Sequence, residues 1–155
     1  MKKSLFFLSI LSFLGTSCRN TPPCASHQTV DNQIWTHKQT FDFEVNIIDT
    51  TCFHTFACCI RHSDGFLFPS IPIAMQITGP NGDTEIGQYL VKITNEKGEF
   101  LGEGMGDIWD YCHPIDSLRF TQAGIYRFRI AHIFPQNNVP LVMEVGLEVG
   151  KVEKK

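Results

Sequence analysis

Apolar and polar residues alternate with a period of two along most of this chain. Phe41, Phe43, Val45 and Ile47 are separated by Asp42, Glu44 and Asn46. Ile71, Ile73, Met75 and Ile77 repeat the pattern, as do Tyr126, Phe128 and Ile130 against Arg127 and Arg129. Leu141, Met143, Val145, Leu147 and Val149 form a further set. Successive side chains of a strand point to opposite faces, so each run predicts a strand with one buried face. Pro72 lacks an N–H to donate, which suggests an edge position for its strand. Weaker strands are expected near 52–61, 87–93, 99–105 and 117–120. Ser63-Asp64-Gly65, Pro80-Asn81-Gly82-Asp83, Glu96-Lys97-Gly98 and Gln122-Ala123-Gly124 supply turns between them. Seven or eight short strands without a helical period predict an all-β fold, an antiparallel β-sandwich. Gly124-Ile125-Tyr126 at the entry of a late strand resembles a tyrosine corner, which makes the expected sandwich immunoglobulin-like.

The N-terminus follows a different rule. Met1-Lys2-Lys3 precedes residues 5–14, apolar apart from Ser9 and Ser12, and Gly15, Thr16 and Ser17 then lead into Cys18. A basic start, a short apolar run and small residues make a secretory signal peptide. The run is too short to span a bilayer, which takes about 20 apolar residues. A cysteine directly after the small residues resembles a lipobox, so Cys18 is the expected lipidation site, acylated and exposed as the new N-terminus when residues 1–17 are removed. The polar, proline-containing stretch 18–33 reads as a flexible tether, and 34–155 as a single β-sandwich domain.

Composition narrows the partners. Loss of Lys2 and Lys3 takes the 13 basic residues to 11 against 16 acidic ones, a formal charge of −5. No basic cluster occurs, which argues against nucleic acid and against electrostatic binding to anionic lipid.

Candidate chemistry is sparse. With Cys18 acylated, Cys24, Cys52, Cys58, Cys59 and Cys112 remain, an odd number. Adjacent Cys58 and Cys59 point to opposite faces of a strand. Cys52, His54, Cys58 and His62 share a face, but an extended segment of that length spans about 33 Å, far more than one zinc ion can bridge. No metal, no cofactor and no essential disulfide are therefore expected. Gly102, Gly104 and Gly106 have the wrong spacing for a phosphate loop and suit close approach of a neighbouring group. Glu103, Asp107 and Asp110 read as solvated carboxylates rather than a glycosidase pair. His132 falls on an apolar face as a hydrogen-bonded core histidine. No Gly-x-Ser-x-Gly, His-Glu-x-x-His or Walker loop occurs, so no enzyme activity is expected. Trp35, Trp109, Tyr111 and the Phe66/Phe68 pair are read as exposed aromatics, with Phe66, Phe68 and Trp109 the expected interaction patch.

Four features recur in order along the domain. They are Arg61-His62 followed by Phe66 and Phe68; Gly102-Glu103-Gly104-Met105-Gly106-Asp107; Phe120 with Gly124-Ile125-Tyr126-Arg127-Phe128; and Val145-Gly146-Leu147-Glu148-Val149. With the lipobox, this order resembles the gliding-motility lipoprotein GldH family of the Bacteroidetes. The resemblance implies an envelope lipoprotein required for gliding and its linked secretion machinery, with other envelope proteins as partners and no catalytic residue. The expected function is a non-catalytic structural or assembly component anchored at the outer membrane. The alternative is a lipid-anchored module that binds glycan or another ligand. Arg19-Asn20-Thr21-Pro22-Pro23 has no acidic run after the cysteine, which favours the periplasmic leaflet.

Overall fold

A computed structural model of the chain describes residues 24–152. The signal peptide and Cys18 lie outside the described residues. Eleven strands follow in order: β1 (Cys24–Thr29), β2 (Ile34–Thr36), β3 (Phe41–Ile47), β4 (His54–Ser63), β5 (Ser70–Thr78), β6 (Thr84–Lys92), β7 (Glu103–Met105), β8 (Ile108–Leu118), β9 (Gly124–His132), β10 (Asn138–Pro140) and β11 (Val142–Lys151). Every strand pair is antiparallel.

The period-two runs bury the faces they predict, except at the start of β11, where a bulge between Val142 and Glu144 buries Val142 and leaves Leu141 and Met143 half-buried. Phe41, Phe43, Val45 and Ile47 of β3 and Ile71, Ile73, Met75 and Ile77 of β5 all point into the core. Tyr126, Phe128 and Ile130 of β9 lie beside them in the same sheet. From the other sheet come Phe56, Cys58 and Ile60 of β4 and Val145, Leu147 and Val149 of β11. Full burial of such a side chain contributes about 1.5–3 kcal/mol, so this apolar sandwich interior dominates stability. On the solvent side of the β3–β9 sheet, Arg127 pairs with Glu44 and Arg129 with Asp42, each at 2.8 Å across strands. Such exposed pairs contribute little, about 0–1 kcal/mol each.

The strand order is β1-β11-β4-β8-β7 in one sheet and β3-β9-β5-β6 in the other, with β10-β2 as a small separate pair. The antiparallel sandwich is as expected, but its topology is not immunoglobulin-like. In immunoglobulin domains the two sheets follow the orders A-B-E-D and C-F-G. Here β1, β4, β8 and β11 interleave in sequence with β3, β5–β6 and β9 of the opposite sheet, which is the double Greek key of a jelly roll. The tyrosine corner is nonetheless present: the Tyr126 hydroxyl donates to the Gln122 carbonyl at 3.0 Å. That bond is local and does not depend on which strands become neighbours.

Three further expectations change. The expected tether includes β1, whose six residues pair with Glu144–Val149 of β11, so the sandwich starts at Cys24 rather than residue 34. β5 is internal, between β9 and β6, although it carries Pro72. The missing N–H costs nothing there because the β9 ladder ends at that level, where Ile133 N–H donates to the Pro72 carbonyl at 2.9 Å. The third change concerns cysteine. Cys59 and Cys112 stand directly opposite on β4 and β8 and form a disulfide across a sequence separation of 53. Cys58, one residue away, turns into the core, where burial pushes its thiol up to about 12.

Candidate functional site

One end of the sandwich collects aromatic side chains from segments far apart in sequence. The ends of β4 and β9 and the start of β8 meet there, with the turn 64–69 between β4 and β5 and the loop 93–102 between β6 and β7. Strand alternation decides who points inward. Arg61 faces out and is held by Asp110 at 2.7 Å and Glu144 at 2.9 Å, while His62 faces in and is fully buried. The bidentate hold of Arg61 on Asp110 identifies that carboxylate as half of a cross-strand ion pair.

His62 begins an aromatic chain. Its ring centroid lies 5.1 Å from that of Phe66 and 4.7 Å from that of Phe100. Phe66 meets Phe68 at 5.6 Å, and Phe68 meets Phe134 at 4.8 Å. On the other side Phe100 meets Trp109 at 5.4 Å. These separations fall in the favourable range for aromatic pairs, worth about 0.5–1.5 kcal/mol each beyond burial. The expected patch residues Phe66, Phe68 and Trp109 are therefore parts of one connected cluster.

Their exposure differs from the expectation. Phe66 is only 5% exposed and belongs to the core. Phe68 and Trp109 are half-buried. The Trp109 ring lies over Gly104, where an added Cβ would sit 3.1 Å from the ring atoms, so that glycine makes room for the indole. Gly102 and Gly106 flank it at turn positions with φ of 89° and 62°, not as a phosphate loop. Trp35 is wholly buried, not exposed. It closes the core at this end, with Nε1–H donating to the Gln39 carbonyl at 3.0 Å and its ring edge-on to Phe41 and His132. Tyr111 is half-buried beside His113.

What the sequence reading missed is the apolar rim above these rings. Leu67, in the 64–69 turn, is 82% exposed, and Met105, the last residue of β7 before the turn at 106–107, is 85% exposed. Asp64 N–H donates to the Asp107 carbonyl at 2.7 Å and ties the two turns together. Leu67 interrupts the Phe66/Phe68 alternation, and that alternation was the available signal for an outward apolar residue.

Histidines complete the end. His62 Nδ1–H donates to the Ser63 carbonyl at 3.0 Å, which leaves Nε2 buried and unpartnered. His132, 3% exposed, has its ring centroid 4.5 Å from that of His37 with the planes tilted by 51°, and neither His132 ring nitrogen reaches a full hydrogen bond. It is a core histidine, but not the hydrogen-bonded one expected. Burial foremost, and then the neighbouring His37, push its pKa down to about 4. Burial also lowers His62 and, at the opposite end, His54, which packs on Phe120. His54, Cys58 and His62 share the inner face of β4 but are strung along it, and no common metal position joins them.

The sign for stability follows directly. A folded-state pKa below the unfolded value of about 6.5 means that the unfolded chain binds the proton first as pH falls. The stability is complete above about pH 6.5 and is lost as pH falls toward 4, by up to about 1.4 kcal/mol per pH unit for each such proton. The urea midpoint should therefore decline over that window, and His132→Leu should flatten the decline. An unchanged midpoint from pH 6.5 to 4 would contradict a neutral, buried His132.

Comparison with known proteins bears on the whole domain. The family model described as GldH lipoprotein matches residues 24–149. The gliding motility lipoprotein GldH homolog of Christiangramia forsetii is 22% identical over 135 residues, covering 86% of this chain and 82% of that protein. Among solved structures, one from Sulfurospirillum deleyianum aligns with a TM-score of 0.46 at 13% identity, over 86% of this chain and 99% of its own. The VP2 subviral particle of infectious bursal disease virus aligns with a TM-score of 0.39 at 12% identity, over 84% of this chain and 32% of its own.

Proposed function

The chain belongs to the GldH lipoprotein family, and from that footing we propose that it is a lipid-anchored assembly component of a gliding-motility apparatus and its linked secretion machinery. In this reading Cys18 carries the lipid, and the periplasmic leaflet of the outer membrane is where it anchors. The domain acts by binding other envelope proteins and turns over no substrate.

One observation carries the binding role: the exposed Leu67, on a turn, and Met105, at the end of β7, stand beside a packed aromatic cluster. Interfaces draw most of their energy from a few apolar or aromatic anchors on a pre-formed base, and ordering costs are low when that base is packed. Phe68 and Trp109 supply partly accessible ring surface beside the rim. Phe66 supports it from below, so Phe66→Ala would open a core cavity costing about 3–5 kcal/mol and would not report on binding.

The appropriate variant is Leu67→Asp with Met105→Asp. Both side chains are mostly in solvent, so thermal stability should stay within about 0.5 kcal/mol of the parent. Recovery of partner proteins by in-cell crosslinking should drop at least about tenfold, the loss of one modest anchor. Undiminished recovery with the double variant would remove this end of the sandwich from the proposal. Saturable binding of the parent to a polysaccharide would favour the glycan-binding alternative instead.

A further inference from the structure

The outer face of the five-stranded sheet carries a second constellation, at the opposite surface of the sheet from the core. Reading across the strands at one level gives His27 on β1, Gly146 on β11, Cys59 on β4 and Cys112 on β8. His27 and Cys59 are two strands apart, and an intervening side chain would separate them. Gly146 has none. A Cβ there would clash with the His27 ring, with Nε2 at 2.8 Å, so the imidazole lies across the glycine. As a result, a ligand atom of His27 and the sulfurs of Cys59 and Cys112 all lie within 4.8 Å of one another. They line a shallow depression of about 230 Å³ with Arg61, Asp110 and Tyr111.

We propose that the dithiol form of this chain binds a zinc ion through Cys59, Cys112 and His27. Opening the S–S bond takes two electrons and two protons from a dithiol, which leaves as its own disulfide. Zinc then displaces the two thiol protons, binding two thiolate sulfurs and one imidazole nitrogen. Two soft sulfurs and one nitrogen suit zinc, and three protein ligands leave the fourth tetrahedral position to water. In the disulfide form neither sulfur can donate as a thiolate, so the site exists in one redox state only. The two ligand strands are already neighbours in the ladder, and the third ligand already lies over the pair. Side-chain rotation therefore suffices to spread the sulfurs from bonding distance to the separation of two zinc ligands. Cys58 takes no part because it faces the core.

The test uses the full chain in detergent, in its disulfide form and after reduction by a phosphine that is then removed. Each form is titrated with zinc against a chromophoric chelator, and with cobalt as a spectroscopic stand-in. One zinc per reduced chain, with tetrahedral thiolate–cobalt absorption, is expected, and none in the disulfide form. His27→Ala keeps the fold, because the side chain is exposed, and should weaken zinc at least about tenfold, the scale by which lesser changes around metal sites act. Cys52→Ser and Cys58→Ala should leave binding unchanged. Three results would each overturn the proposal: no zinc taken up by the reduced chain, equal uptake by the disulfide form, or full affinity retained by His27→Ala.

Discussion

Replacing Cys59 and Cys112 together by alanine is expected to cost about 4 kcal/mol of stability. The bridge closes a loop over a sequence separation of 53, and chain-entropy loss in the unfolded state for a loop of that size amounts to about 4 kcal/mol. For a domain of this length the midpoint of thermal unfolding should fall by on the order of 15 °C. Adding a reductant to the parent should reproduce the shift, and adding it to the double variant should change nothing. A shift below about 1 kcal/mol would show that the β4–β8 ladder already holds the two strands together in the unfolded ensemble. The reduced domain should still fold, since stabilities of about 5–15 kcal/mol are ordinary and the sandwich core is untouched. That margin lets the dithiol form persist long enough to take up a metal.

Cys18→Ala is expected to abolish membrane attachment. Two or three acyl chains hold a protein to a bilayer essentially permanently, with about 0.8 kcal/mol for each buried methylene, and the negatively charged domain offers no electrostatic substitute. The variant should move from the detergent phase to the aqueous phase on phase partitioning, or accumulate with its signal uncut. In a gliding host it should stop colony spreading even though the sandwich, which starts at Cys24, folds as before. If the variant partitions like the parent and the mature N-terminus lies elsewhere, the lipoprotein role of Cys18 is wrong.

The strands were legible in the sequence wherever alternation was clean. β3, β5 and β9 bury the residues that their period marked, β11 does so only from Val145 onward because a bulge between Val142 and Glu144 shifts its phase, and Tyr126 makes the bond that Gly124-Ile125-Tyr126 suggested. β8 was harder to see. Only its end fell within an expected strand, because its eleven residues, Pro114 among them, alternate poorly and all are at least partly exposed. β1 reads as tether for a similar reason: its six residues, Cys24-Ala25-Ser26-His27-Gln28-Thr29, hold no large apolar side chain, and β11 alone gives it a ladder.

The candidate site divides along the same line. Phe66, Phe68 and Trp109 were identifiable as a group, and the fold does join them through Phe100 and His62. Their depth was not identifiable, because burial of Phe66 and Trp35 depends on loops arriving from other strands. The same holds for the Cys59–Cys112 bridge, for His27 beside it and for the jelly-roll order. Which face of a strand is apolar is written in neighbouring residues, so the chain by itself determines it. Which strands become neighbours is decided by burying all those faces together, and only the folded sandwich makes that choice.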